Sequence, residues 1–265
     1  MEKHKITISN KDVITIVPFG DVHLGSPNCD WDKFWRFIKW AEKEDLYLIG
    51  MGDIFDVILA TDKRYSAEER QLPLLNAIDT IVKTLEPLAK QGKIIGLHRG
   101  NHEQKMADIG VGDPILNVCA RLGVKFLGYS SFIQVVAKRK FNSGAESNAL
   151  IIYCHHGFFS GRKRGSKINN LEDLSMYWDA DLYLVAHSHD LFSSKRVCID
   201  FYGARDKAFL NTGSFLKTTE IGTCNYSERA GYPPQKLGIA RIEWQPFKVK
   251  KVEFGRKRGD LHIID

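Results

Sequence analysis

Five apolar runs of strand length end on the same few polar residue types, and that regularity constrains the fold more than any bulk property. Val13–Phe19 runs into Asp21 and His23, and Leu46–Ile49 into Asp53 and Asp56. Lys93–Leu97 leads to Asn101 and His102, Ala149–Cys154 to His155 and His156, and Leu182–Val185 to His187 and His189. In open α/β sheets, ligands collect beyond the carboxyl ends of the strands. Oxygen and imidazole donors delivered there from five strands are the raw material of a metal site.

The segments between the runs have helical spacing. Trp31–Glu44 and Ser66–Gln91 carry apolar residues on one helical face, with Pro73 and Pro87 predicting kinks or breaks in the second. Asp113–Gly123 reads as a short helix, with Asp113 as its cap, Pro114 at the first position and Gly123 past its end. Beyond residue 190 the runs FLNTGSFLK, KLGIARIEW and FKVKKVEFG predict strands with no helix between them. The first two thirds are thus βα units and the last third mostly β, which two packed sheets with helices outside would accommodate.

Bulk properties exclude several classes. At 265 residues and 43% hydrophobic, the chain can bury one large core, and we expect a single domain spanning residues 1–265. No apolar leader is visible at the N-terminus and no run is long enough to span a bilayer, so no membrane partner is expected. The five cysteines (Cys29, Cys119, Cys154, Cys198, Cys224) form no CxxC pair, which fits a reduced, cytoplasmic setting better than a disulfide framework or a thiolate zinc site. The net charge of +6 permits a polyanionic partner without requiring one.

Donor chemistry narrows the metal. Residues two apart in an extended segment point the same way, so Asp21 and His23, and likewise His187 and His189, are expected to converge. Aspartate, asparagine and histidine without thiolate suit divalent Mn, Fe, Zn, Co or Ni, whereas Ca and Mg prefer more oxygens. The candidates outnumber the needs of one ion, which implies two.

In this order the blocks Asp21-Val22-His23, Gly52-Asp53-Ile54-Phe55-Asp56, Gly100-Asn101-His102-Glu103, His155-His156 and Ala186-His187-Ser188-His189 resemble the signature of the calcineurin-like metallophosphoesterases, DxH, GDxxD, GNH[ED], a later His, and GHxH. Asn211–Ser214 (NTGS) is similar to the strand-turn that closes many members, and Ala186 departs from the usual glycine. The resemblance implies a four-layer α/β/β/α sandwich, two mixed β-sheets flanked by helices, around a dinuclear centre. It implies that Asp21, His23 and His189 hold one metal, that Asn101, a histidine of the His155-His156 pair and His187 hold the other, and that Asp53 bridges them. Similar members bind through the first histidine of the fourth block, which favours His155. His156 is left as a neighbour of the ligand, a substrate contact or filler.

The activity implied is hydrolysis of a phosphoester by attack of a metal-bound hydroxide, with two cations about 3.5–4 Å apart clamping the phosphoryl group. Manganese is the first choice of metal. His102 would protonate the leaving oxygen as general acid, oriented by Asp56, and Gly100 would permit the turn. Arg162, Lys163, Arg164 and Lys167, in the basic run Ser160–Lys167, would draw substrate phosphates, although a solvated loop serves that run equally well. A second basic run, Lys248–Gly259, alternates like an edge strand with its lysines in water. The expected substrate is a nucleotide or nucleic-acid phosphodiester. The alternatives are a phosphomonoesterase on a small molecule and a catalytically silent metal-binding interaction module.

Overall fold

The computed structural model describes residues 1–58, 72–141, 144–159, 161–201, 203–219, 231–248 and 259–264. The start of the long helical prediction (66–71), Cys224 and most of the second basic run (249–258) lie outside these residues.

Among the described residues, eleven strands build two mixed sheets. In the first, β1 (Glu2–Ser9), β5 (Ser130–Phe141), β6 (Gly144–His155), β7 (Leu182–Val185), β9 (Gly203–Thr212) and β8 (Leu191–Asp200) lie side by side in that order. The second runs β11 (Asp260–Ile264), β10 (Arg241–Gln245), β2 (Ile14–Phe19), β3 (Leu46–Gly50) and β4 (Ile94–Leu97). The parallel trio β2, β3 and β4 is buried on both faces, as its near-continuous apolar sequence requires.

Three apolar layers separate four structural ones. Phe34, Ile38, Ile81, Leu85, Ile115 and Val118 from α1 (Trp31–Lys43), α2 (Leu74–Lys90) and α4 (Pro114–Leu122) pack on Val17, Phe19 and Leu48 of the five-stranded sheet. The other face of that sheet, with Ile16, Ile49 and Ile95, meets Ile133, Ile152, Leu184 and Leu210 of the six-stranded one. Leu171 and Leu174 of α5 (Arg164–Tyr177) cover Tyr153, Tyr183 and Phe209 on the far side. This is the α/β/β/α sandwich expected.

Local chemistry sets the helix ends. Asp30 Oδ1 accepts from the Lys33 N–H at 3.0 Å, capping α1. Asp113 caps α4 through the Ile115 and Leu116 N–H groups, and Gly123 ends it at φ 67°. Pro73 stands immediately before α2, where its missing N–H costs nothing, but Pro87 lies inside the helix without breaking it. The run 164–177, read from sequence as a loop at its basic start, is α5. The strands β1, β5 and β8 were not foreseen, because their polar and apolar residues alternate instead of forming apolar runs. Among the described residues, no helix is long and apolar enough to cross a membrane.

Candidate metal centre

The exits of β2 and β3 run side by side. The Asp21 N–H donates to the Gly52 carbonyl at 2.9 Å and the His23 N–H to the Asp53 carbonyl at 3.0 Å. The exit of β4 is tied to them by Glu103, a buried residue for which the sequence reading gave no role. Its Oε2 accepts from the Gly100 N–H at 2.7 Å and the Asp53 N–H at 3.1 Å, and its Oε1 from the Phe55 N–H at 2.9 Å. A glutamate at the third position of a helix, reaching back to its cap, is the legible signal for this tie.

Gly100 has a different purpose from the one expected. Its φ is −102°, open to any residue, so no left-handed turn requires glycine. A Cβ there would instead lie 2.1 Å from Asp53 Oδ1, so close approach excludes every other side chain.

The paired donors converge, but not through extended backbone. Asp21, His23, Asp53, His187 and His189 all have positive φ, between 47° and 67°; among the described residues the only other non-glycine of this kind is Asn10. Each such residue costs on the order of 1–3 kcal/mol and persists where its surroundings over-determine it. The surroundings here do so: the Ser214 hydroxyl donates to the Asp21 carbonyl at 2.9 Å, and Asn211 Nδ2 donates to Ser188 Oγ at 2.8 Å. The NTGS turn therefore braces two of the ligand loops.

Among the described residues three sets of donors have their candidate atoms within 4.8 Å of one another: Asp21–His23–His189 and Asp53–His156–His187, which face each other across Asp53, and His23–Asp56–His102 beside the first. His23 Nε2 and His189 Nε2 face each other at 3.2 Å, with Asp21 Oδ1 3.9 and 3.6 Å from them. Asp53 Oδ2 lies 3.8 Å from His23 Nε2 and 3.3 Å from His156 Nε2, between the two sets. Asn101 Oδ1 is 3.0 Å from His156 Nε2.

His156 occupies the place that the sequence reading gave to His155. Leu150, Ile152 and Cys154 of β6 face the other sheet, and His156 continues that parity, its Nδ1 donating to the Met51 carbonyl at 2.8 Å. His155 points the opposite way. Its Nδ1 accepts from the Gly157 N–H at 2.8 Å, and its ring lies against Tyr129 and Phe158. The two-residue period of the strand carried this distinction.

Asp56 Oδ1 sits between two imidazoles, 3.1 Å from His23 Nδ1 and 3.2 Å from His102 Nδ1. It thus orients a candidate ligand as well as the candidate acid, leaving His23 Nε2 to face the centre. The His102 N–H donates to Asp53 Oδ1 at 2.9 Å.

The basic residues are engaged elsewhere. Arg164 donates to the Leu191 carbonyl at 3.3 Å and lies over Phe192, and Arg162 lies over Tyr232. Arg99 pairs with the Asp113 cap at 3.1 Å, and His98 is buried between the Gly50 carbonyl and Ser131 Oγ, each 2.8 Å away.

The electrostatics fit cations. Burial raises the Asp21 carboxyl to about 7, and the neighbouring Asp53 charge adds to this against the pull of His156. Burial opposes ionisation of Asp53 too, but His156 and His102 overcome it and hold this carboxyl well below its ordinary value. Burial alone would lower His156; the Asp53 and Asp21 carboxylates reverse that and hold it at about 9. Burial lowers His187 to about 4 and His189 well below its ordinary value, leaving neutral imidazoles. Asp21 Oδ2 accepts from the His187 N–H at 2.8 Å, while its buried Oδ1 has no hydrogen-bond partner. A buried carboxylate oxygen facing two imidazole nitrogens is a coordination position, and carboxylate, amide and neutral imidazole are donors that divalent transition ions accept.

A family model described as calcineurin-like phosphoesterase matches residues 14–200. No curated protein matches the chain. Among solved structures, a conserved uncharacterised protein from Streptococcus pneumoniae TIGR4, described as a predicted phosphoesterase, is 13% identical over 96% of this chain and 99% of its own, with a TM-score of 0.37. A Vps29 double mutant from Entamoeba histolytica is 12% identical over 95% and 100%, with a TM-score of 0.40. Wild-type Vps29 from the same organism, complexed with zinc, is 12% identical over 95% and 100%, with a TM-score of 0.32.

Proposed function

The chain belongs to the calcineurin-like phosphoesterase family, and from that premise we propose that it is a two-metal phosphodiesterase acting on a nucleotide or nucleic acid. The observation that carries the reading is Asp53 Oδ2, placed 3.8 Å from an imidazole of one donor set and 3.3 Å from an imidazole of the other. Asp21, His23 and His189 would hold one ion, Asn101, His156 and His187 the second, and Asp53 both. When bound, two divalent cations neutralise phosphoryl charge and supply a nucleophile from water near neutral pH. Manganese suits this mixture of oxygen and imidazole donors.

The protein's own groups have separate tasks. Asp56 fixes the His23 and His102 rings through one oxygen. His102 would deliver its proton to the leaving oxygen. Glu103 keeps the β3 and β4 exits in register, so that Asp53 and Asn101 present their donors together.

The net charge of +6 supports an anionic substrate. Phe158, 63% exposed and edge-on to the His155 ring at 5.3 Å, supports one with a planar base to stack. We also read residues 1–265 as one domain, since β1 and β11, from opposite ends of the chain, are strands of the two packed sheets. Free Cys29, Cys119, Cys154 and Cys198 support a cytoplasmic setting.

The test is hydrolysis of bis-p-nitrophenyl phosphate, p-nitrophenyl phosphate and labelled single- and double-stranded DNA and RNA, with Mn²⁺ and with EDTA. The diester and at least one nucleic acid should be cut with Mn²⁺ and spared with EDTA. Preference for the monoester would replace this reading with a phosphomonoesterase. No turnover with Mn, Fe, Zn, Co or Ni would leave a silent metal-binding module.

A further inference from the structure

Among the described residues of the basic run, 161–167, one is buried. Lys167, near the start of α5, is 4% exposed. Its Nζ donates to the Ser188 carbonyl at 3.3 Å and lies 3.5 Å from Asp190 Oδ2. An ammonium withdrawn from water is costly unless hydrogen-bonded and paired, and both of these partners belong to the same short loop.

That loop is His187-Ser188-His189-Asp190. His187 belongs to the Asp53 donor set and His189 to the Asp21 set, so the carbonyl held by Lys167 lies between one donor of each. Both histidines have left-handed backbone, φ 67° and 56°, which their own side chains do not favour. Gln235 Nε2 donates to the same Ser188 carbonyl at 3.3 Å, and Asn211 Nδ2 to Ser188 Oγ at 2.8 Å. Lys167 is the charged member of this bracing and the one that arrives from a helix.

We propose that Lys167 is a positioning residue for both metal sites at once, fixing through the Ser188 carbonyl the backbone that aims His187 and His189 in different directions. The proposal rests on the two-cation reading above. It separates Lys167 from a residue that merely anchors α5, whose loss would lower stability without changing how cations bind. It also separates Lys167 from the individual ligands other than Asp53, whose loss should weaken chiefly one site.

The test is titration of the metal-free full chain with Mn²⁺ by calorimetry and with Co²⁺ by visible absorption, for the wild type, Lys167→Met and Lys167→Arg. Methionine keeps the volume and removes the donor; arginine keeps a charged donor. Loss of an outer-shell partner typically weakens metal binding by about 10–100-fold. Lys167→Met should therefore weaken both Co²⁺ sites at least about tenfold and alter both absorption envelopes, and Lys167→Arg should restore part of each. Unchanged affinities, or weakening of one site alone, would overturn the proposal. If Lys167→Met does not fold, as thermal melting would reveal, Lys167→Gln, shorter and uncharged but still polar, gives the same readout: both sites should weaken together, and no change would again overturn it. A wild type that binds no cation would refute the two-metal reading itself, a result distinct from a wild type and a Lys167→Met variant that bind equally well.

Discussion

On the proposed reading, replacing His102 by alanine should separate proton delivery from metal binding, because side chain and backbone make different contacts. The imidazole Nδ1 meets Asp56 Oδ1 at 3.2 Å, whereas the contact to the candidate bridging carboxylate is made by the backbone N–H, 2.9 Å from Asp53 Oδ1. Alanine keeps that N–H and suits the first turn of α3 (Asn101–Asp108). Asp56 also keeps its bond to His23 Nδ1 at 3.1 Å, so no buried carboxylate is orphaned. Both cations should remain. General acid catalysis is worth about 10²–10⁴ in rate, or about 3–6 kcal/mol of barrier at roughly 1.4 kcal/mol per tenfold. That loss should appear in full for alkyl esters, whose alkoxide must be protonated as it leaves. It should shrink to under about tenfold for p-nitrophenyl esters, whose phenolate leaves unaided. The assay is kcat/KM across esters of graded leaving group, with metal content measured on the same preparations. An equal loss across the series, or a loss of bound metal, would refute this division of duties.

His156→Ala should abolish tight binding at the Asp53 site, and His155→Ala should leave metal stoichiometry unchanged; elemental analysis after gel filtration distinguishes the two. Gly100→Ala places a Cβ 2.1 Å from Asp53 Oδ1, so the carboxylate must shift by more than about 1 Å. Activity should fall about 100-fold and stability by about 1–3 kcal/mol, read from turnover and denaturant melts. Burial lowers His98 from 6.5 to about 4. The unfolded chain thus binds a proton that the folded chain refuses, and stability falls as pH drops through that window, by on the order of 3 kcal/mol from this group. His98→Gln should flatten the dependence of stability on pH between those values, as urea melts at several pH values would show.

The strands feeding the site were legible because apolar runs buried on both faces are conspicuous, and their polar endings marked the donors. The edge strands β1 and β8, and β5 beside β1, were not legible, since half of each strand faces water and no apolar run forms. That His155 and His156 point to opposite faces was open to reading in the parity of Leu150, Ile152 and Cys154. The left-handed backbone at Asp21, His23, Asp53, His187 and His189 had no local signal, because hydrogen bonds from distant residues such as Ser214 and Asn211 over-determine it. Lys167 was hidden for a related reason: a basic run reads as surface until a helix turns one member of it inward.

The six-stranded sheet supplies His156, His187 and His189, and the five-stranded sheet supplies Asp21, His23, Asp53 and Asn101. Any ion seated among them would also be a rivet between two slabs otherwise joined by an apolar layer and a few hydrogen bonds, such as those of His156 to the Met51 carbonyl and of the His187 N–H to Asp21. Chelation should therefore do more than silence turnover. It should unfasten one end of the sandwich, so that amide exchange quickens first at the tips of β2, β3, β6 and β7 and spreads inward. Resistance to heat should then track the logarithm of free ion concentration.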